Sequence, residues 1–190
     1  MNCTTSSFPV DTMKFQRTGG EIGPQLRVLM FSDCYWPRVN GVSAALDAIR
    51  VGLEANNVKV KFIVPAYNEK APAGEFEFGL RVNAPKFFAH PEDRMVIPTP
   101  KLVRYLRDYI VKFRPQIIHI HTPFGMGVLG INLGKSLNLK RVFTYHTLFD
   151  RYTHYIPLLP EKFTRFLAIE YSKWFCNLNS AVIALSLIHI

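Results

Sequence analysis

Two histidines lie two positions apart in the segment IIHIHTPFG, residues 117–125. Alternation along a strand places His119 and His121 on the same face, with His121 at the strand's end and facing the crevice there. A histidine in that position can donate a hydrogen bond to a ligand hydroxyl or phosphate, or transfer a proton. Metal binding is less favoured, because no Cys or carboxylate stands nearby in the sequence. The alternative is a histidine that only caps the strand end.

A glycine-containing loop, residues 32–42 (SDCYWPRVNGV), precedes a helical pattern. Gly41 has no Cβ and lets a phosphate approach the backbone, and the helix after it offers free N–H groups and the positive end of its dipole. The loop therefore predicts a pyrophosphate site. It lacks the G-x-G-x-x-G spacing of dinucleotide folds. An ordinary strand–helix turn with an Asn-Gly pair is the alternative.

A third loop, residues 146–160, is long, aromatic and polar. It begins with His146 and contains Tyr152, His154 and Tyr155. Aromatic rings that stack and polar groups that bond hydroxyls suit the recognition of a sugar or polyol. The alternative is a packed surface loop whose tyrosines cover the core.

A basic helix is predicted over Lys101–Arg114, with an apolar stripe on one side and Arg104 and Arg107 on the other. Lys86, Phe87 and Phe88 add a basic, aromatic patch upstream. Such a surface is typical of contact with anionic lipid. An ordinary sheet-covering helix with a solvated basic face is the alternative.

Short apolar runs alternate with helical patterns and position these loops. The runs predict strands at 26–31, 58–64, 80–82, 116–120, 141–145 and 181–184, and the helical patterns cover 42–54, 101–114, 127–137 and 161–178. This order predicts an α/β fold: a Rossmann-like parallel sheet with helices on both faces. The three loops above leave the carboxyl ends of strands, where such sheets bind ligands.

The composition fits a single domain. The chain has 190 residues, 48% of them of hydrophobic type, and a formal net charge of +9. That charge suits nucleic acid, an anionic membrane surface or phosphorylated substrates. Three widely spaced cysteines predict neither a disulfide framework nor a zinc site. Residues 1–25 read as a flexible leader without the apolar run of a signal peptide.

The three loops, in this order, resemble family-4 retaining glycosyltransferases of the GT-B fold. Within that family, the Thr-Tyr-His-Thr segment at 144–147 and the Tyr-Thr-His-Tyr segment at 152–155 are most similar to the 1,2-diacylglycerol 3-glucosyltransferases. The resemblance identifies residues 26–184 as the N-terminal, acceptor-side domain. It implies a peripheral enzyme on the cytoplasmic face of the membrane that transfers glucose from UDP-glucose to diacylglycerol.

The resemblance also implies roles for single residues. Gly41, flanked by Asn40 and Val42, lies beside the donor diphosphate, and His121 faces the transferred sugar. The acceptor is expected near His146 and the residues Tyr152, His154 and Tyr155, and the membrane near Lys86, Phe87, Phe88, Arg104 and Arg107. The nucleotide sugar is a substrate, so neither a cofactor nor a metal is expected, and nucleic acid is not an expected partner.

The sequence departs from the family pattern in three places. The leader is longer than usual, and the donor-binding domain with its Arg/Lys pair and E-x7-E motif is not found, so we expect this chain alone to be inactive. Residues 185–190 (LSLIHI) match the translation of a common sequencing adapter and are expected to be an artefact. A family-4 mannosyltransferase acting on another acceptor, or a non-catalytic lipid- or nucleotide-binding domain, are the alternatives.

Overall fold

A computed structural model describes residues 25–67, 70–86, 92–146 and 161–184. Within these ranges, seven strands form one sheet in the order β3-β4-β2-β1-β5-β6-β7. All neighbours pair in parallel except β3 and β4, which are antiparallel. The strands are β1 Arg27–Phe31, β2 Lys59–Pro65, β3 Gly74–Phe76, β4 Gly79–Val82, β5 Ile117–Ile120, β6 Lys140–Tyr145 and β7 Ala181–Ala184.

The described residues between these strands form four helices: α1 Gly41–Ala55, α2 Pro100–Phe113, α3 Gly125–Ser136 and α4 Glu161–Asn177. Two of them begin with a side-chain cap. The Asn40 side chain accepts from the backbone N–H of Ser43 at α1, and Thr99 accepts from Leu102 at α2. Such caps satisfy N–H groups that have no partner inside the helix.

The core has one layer on each face of the sheet. Val28, Met30 and Phe62 pack with Leu46 of α1 on one face. On the other face, alternate strand residues pack with α2, α3 and α4 in a larger layer that contains Phe31, Ile118, Leu106, Leu129 and Phe175. Because consecutive strand residues point to opposite faces, each buried strand supplies both layers. The predicted Rossmann-like α/β fold is confirmed.

The predicted strand and helix bounds agree with the observed ones to within two residues, except for the β3–β4 hairpin. Only the part near Leu80–Val82 was predicted there. β3 has three residues, too few for alternation to be recognised. Gly79 has φ +154°, and a Cβ at this position would lie 2.1 Å from the carbonyl oxygen of Phe62. Residues 1–24 and 185–190 lie outside the described ranges, so the leader, the domain bounds and the adapter stay predictions.

Gly127 of α3 provides a stability test. A Cβ at this position would lie 2.0 Å from the carbonyl oxygen of Thr122 and 3.0 Å from the Phe175 ring. We expect Gly127→Ala to lower the free energy of unfolding by about 1–3 kcal/mol, measured by urea denaturation. Gly52 of α1 has no atom within 4 Å of the same position, so Gly52→Ala should instead stabilise by up to about 1 kcal/mol. Equal midpoints for the two variants would contradict this packing.

Candidate functional site

The candidate site lies where the strand order reverses. From β1, the chain adds β2 on one side and later β5 on the other, so β1 and β5 are neighbours at the switch point. Their carboxyl ends open the loops that begin at Ser32 and His121. The next strand outward, β6, ends at Tyr145 and is followed by His146. This edge of a parallel sheet is where ligands bind.

A buried carboxylate joins three elements at this edge. Asp33, just after β1, accepts a hydrogen bond from the Thr122 hydroxyl at 2.6 Å and one from the backbone N–H of Met126 at 2.8 Å. Its own N–H donates to Thr122 Oγ1 at 2.7 Å. Phe124 at the start of α3 has no side-chain cap, so Asp33 fills that role from another strand. Burial raises the pKa of Asp33 to about 6 against the lowering effect of these bonds.

Sequence reasoning missed the role of Asp33. Two signals point to it: a carboxylate directly after a central strand, and a helix whose first residue has no capping side chain. Neither signal identifies the partner, because Asp33 and Met126 are 93 positions apart.

The start of α1 has a different arrangement. Asn40 caps the N–H of Ser43, whereas Gly41 and Val42 begin the first turn, where N–H groups have no partner inside the helix. No acidic residue lies in this turn. Among the described residues, no atom other than those of the chain neighbours and the helix's own backbone lies within 4 Å of a Cβ built on Gly41. Open space and the positive end of the helix therefore coincide at Gly41.

The loop before Gly41 is anchored on both sides. Arg38 pairs with Glu92 and, at 3.2 Å, with Asp93, while its carbonyl accepts from the Ser43 hydroxyl at 2.8 Å. Earlier in the loop, the Tyr35 hydroxyl donates to Asp47 of α1 at 2.6 Å, and the Trp36 indole donates to the same carboxylate. These bonds hold the loop against α1 and against the segment that precedes α2.

Three histidines form a row on the α1 side of the sheet. His119 Nε2 lies 2.7 Å from the Thr144 hydroxyl. The rings of His119 and His121 are 4.0 Å apart between centroids, which confirms that the two share a face. His121 Nδ1 lies 3.0 Å from Nε2 of His146 at the end of β6. We define these three residues as the histidine row.

The histidine row is neutral at pH 7. Burial lowers the pKa of His119 to about 4, that of His121 well below its ordinary value, and that of His146 in the same direction. His121 is only 1% exposed, whereas His146 is partly exposed. The row can therefore donate and accept hydrogen bonds at the sheet edge through His146, and His121 lies behind it.

The other predicted site residues divide into two groups. Lys86, Arg104 and Arg107 are exposed, with Lys86 before α2 and the two arginines on it. Outside the described residues lie Phe87, Phe88, Tyr152, His154 and Tyr155.

No group of three or more His, Cys, Asp or Glu side chains in the described part of the chain is arranged to hold a metal ion. None of the helices described there is both long and apolar enough to cross a membrane.

The histidine row predicts a pH dependence of stability. An unfolded His119 takes up a proton near pH 6.5, but the folded one stays neutral down to about pH 4, so its contribution to stability is present above pH 6.5 and is lost as the pH falls. His119→Gln keeps a group that can bond Thr144 but does not titrate. We expect it to reduce the slope of unfolding free energy between pH 5 and 6 by about 1 kcal/mol per pH unit, measured by urea denaturation.

Asp33 provides the control of opposite sign. Its folded pKa of about 6 lies above its ordinary value of 3.8, so it contributes stability that grows as the pH falls between these values. Asp33→Asn should therefore steepen the loss of stability on acidification. A slope that both variants leave unchanged would show that neither group is buried as described.

The sequence model of Glycosyltransferase Family 4 matches residues 39–187, a span that includes the start of α1 and the histidine row. An alpha-monoglucosyldiacylglycerol synthase of Acholeplasma laidlawii is 32% identical over 146 residues, which cover 73% of this chain and 34% of the relative. The enzyme of the same name from Streptococcus pneumoniae is 30% identical over 132 residues, covering 69% and 29%.

A third relative has a different name. A GDP-mannose-dependent alpha-mannosyltransferase of Mycolicibacterium smegmatis is 25% identical over 129 residues, covering 64% of this chain and 32% of the relative. The chain thus spans about a third of the length of the curated relatives it matches. Because the family match covers more than half of its residues, the chain belongs to Glycosyltransferase Family 4.

Proposed function

We propose that the protein containing this chain is a retaining hexosyltransferase that moves glucose from UDP-glucose to diacylglycerol at a membrane surface. The observation that carries the proposal is the open, acid-free start of α1 at Gly41, on the same sheet edge as the neutral histidine row. The names of two relatives, both alpha-monoglucosyldiacylglycerol synthases, support glucose and the lipid acceptor.

The α1 start suits the donor's diphosphate. A leaving nucleotide carries developing negative charge, and a fixed positive helix end stabilises that charge without reorganising. The start of α3 cannot take this role, because Asp33 already accepts from Met126 there. Asn40, Gly41 and Val42 therefore form the proposed donor contact, and the nucleotide sugar enters as a substrate with no cofactor or metal.

The histidine row suits the hexose. A neutral imidazole bonds hydroxyl groups without competing for the diphosphate as a cation would. His146 is the partly exposed end of the row, and His121 supports it from behind. Tyr152, His154 and Tyr155, which follow His146 in the sequence and lie outside the described residues, are proposed to contact the acceptor together with His146.

The outer face of α2 suits an anionic membrane. It exposes Lys101, Arg104, Arg107 and Lys112, with Arg114 exposed directly after the helix, against one acidic residue, Asp108. The helix uses Leu106, Tyr109 and Ile110 for the core, so it cannot insert that stripe into lipid. Contact is then mainly electrostatic, on the cytoplasmic face of the membrane, and is proposed to include Lys86 and, outside the described residues, Phe87 and Phe88.

A mannosyltransferase is the second candidate. The observation that favours it is the similarity to the GDP-mannose-dependent alpha-mannosyltransferase. The α1 start and the histidine row contact a diphosphate and a hexose, groups that both donors share, so they do not select between the two.

The donor is tested on the complete gene product that contains this chain. We expect glucose transfer from UDP-glucose to dioleoylglycerol in mixed micelles, followed by product mass and anomeric configuration. Gly41→Val should raise the donor KM by roughly tenfold or more, because its side chain fills the space at the helix start. Gly52→Val, on the same helix, should leave KM unchanged.

Each outcome of this assay has a distinct meaning. Mannose transfer from GDP-mannose would favour the second candidate. An unchanged donor KM in a folded Gly41→Val variant would show that the diphosphate does not bind at the α1 start. Transfer from neither donor would contradict the proposal as a whole.

The membrane surface is tested by charge reversal. Arg104→Glu with Arg107→Glu should weaken binding to vesicles containing 30% phosphatidylglycerol by roughly tenfold or more, since each basic residue at the surface contributes about 1 kcal/mol. Lys135→Glu with Lys140→Glu makes the same change in net charge on exposed residues elsewhere and is the control. Sedimentation measures both. Equal loss in the two variants, or binding insensitive to salt, would contradict a specific α2 surface.

A further inference from the structure

The two ring nitrogens of His121 have unlike surroundings. Nδ1 lies 3.0 Å from His146 Nε2, within hydrogen-bond distance. Nε2 is buried and has no hydrogen-bond partner among the described residues. His119 does not supply one, because its ring lies over that of His121 and its own Nε2 contacts Thr144.

The His121–His146 bond can run in two directions. Each neutral imidazole carries one N–H and one acceptor nitrogen. If His146 donates from Nε2, His121 Nδ1 is the acceptor and the proton of His121 must sit on the buried, unpartnered Nε2. If His121 donates from Nδ1, its Nε2 is a lone pair, and the proton of His146 must sit on Nδ1.

The second direction is less costly, because it leaves His121 with a buried acceptor nitrogen that has no partner and not with a buried N–H that has none. Buried N–H groups without an acceptor are very rare in proteins, and under-satisfied acceptors are less so. The hydrogen bond made by one imidazole nitrogen sets the state of the other, so a choice at His121 fixes the tautomer of His146. When His121 donates from Nδ1, the proton of His146 sits on Nδ1, and this nitrogen of His146 becomes a hydrogen-bond donor.

We propose that His121 is a positioning residue, which donates Nδ1–H to His146 Nε2 and so makes His146 present Nδ1–H to a hydroxyl oxygen of the hexose. The assignment of the bound group as a hexose rests on the proposed function. It moves direct contact from His121, which is buried, to His146, which is partly exposed. The His119 ring, which is bonded to Thr144, packs against the His121 ring and so helps to hold it in place.

The tautomers are tested without substrate. Long-range ¹H–¹⁵N correlation spectra of the histidine-labelled chain at pH 7.5 distinguish protonated from bare ring nitrogens, and His→Asn variants assign the signals. We expect both His121 and His146 to be protonated at Nδ1. Protonation of both at Nε2 would overturn the proposal. Gly52→Ala on α1, away from the histidine row, is the control and should leave the His146 pattern unchanged.

The consequence is tested on the complete gene product. Asn at position 121 carries an amide N–H near the place of Nδ1, whereas Leu carries no donor. We expect His121→Leu to lower kcat by roughly tenfold or more with little change in donor KM, and His121→Asn to recover most of that loss. In His121→Leu, the His146 signal should also shift toward a mixture of tautomers.

The outcomes separate the two proposals. Equal loss in the Asn and Leu variants, with both folded by circular dichroism, would mean that the imidazole itself is required and would overturn the positioning role. If His121→Leu does not fold, the spectra of the unmodified chain still show which ring nitrogens of His121 and His146 are protonated. Nδ1–H tautomers in a protein that transfers no hexose would reject the proposed function and leave the assignment of the bond intact.

Discussion

The arrangement of this site depends on the hydrogen bonds of one buried carboxylate. Asp33 joins the end of β1 to Thr122, just after β5, and to the start of α3. The loop that leads to Gly41 begins beside Asp33, and His121 directly precedes Thr122. The two loops therefore cannot shift relative to each other without breaking buried bonds. Burial raises the pKa of Asp33 to about 6, because an ionised carboxylate at this buried junction is desolvated.

The same carboxylate explains why one helix start is suited to a ligand and the other is not. Both α1 and α3 begin at the carboxyl edge of the sheet with a positive dipole end. At α3 the protein satisfies that end internally through Asp33. At α1 the cap Asn40 is neutral and satisfies the N–H of Ser43, while no side chain in the described part of the molecule fills the space at Gly41. A difference in capping, and not in helix geometry, thus selects the proposed donor site.

Much of this fold follows from local pattern, and the site follows only in part. Apolar runs predicted the central strands, because a parallel strand is buried on both faces. Alternation alone placed His119 and His121 together, since two residues two positions apart share a face in any strand. The pairing of His121 with His146 needs the register of β5 on β6, and the Asp33 bonds need a partner 93 positions away. Local periodicity carries neither piece of information.

Charge is distributed unevenly between the basic face of α2 and the histidine row. The net charge of +9 is carried in part by the exposed face of α2, whereas the histidine row inside the sheet edge is neutral. A cationic histidine at the end of β6 would bind a diphosphate before reaction as well as after it, which lowers KM without raising the rate. In the proposed function, a neutral row leaves the diphosphate to the start of α1 and keeps its own N–H groups for hydroxyls. Burial of His119 and His121 therefore keeps the row beside the proposed sugar contact uncharged in a protein that is basic as a whole.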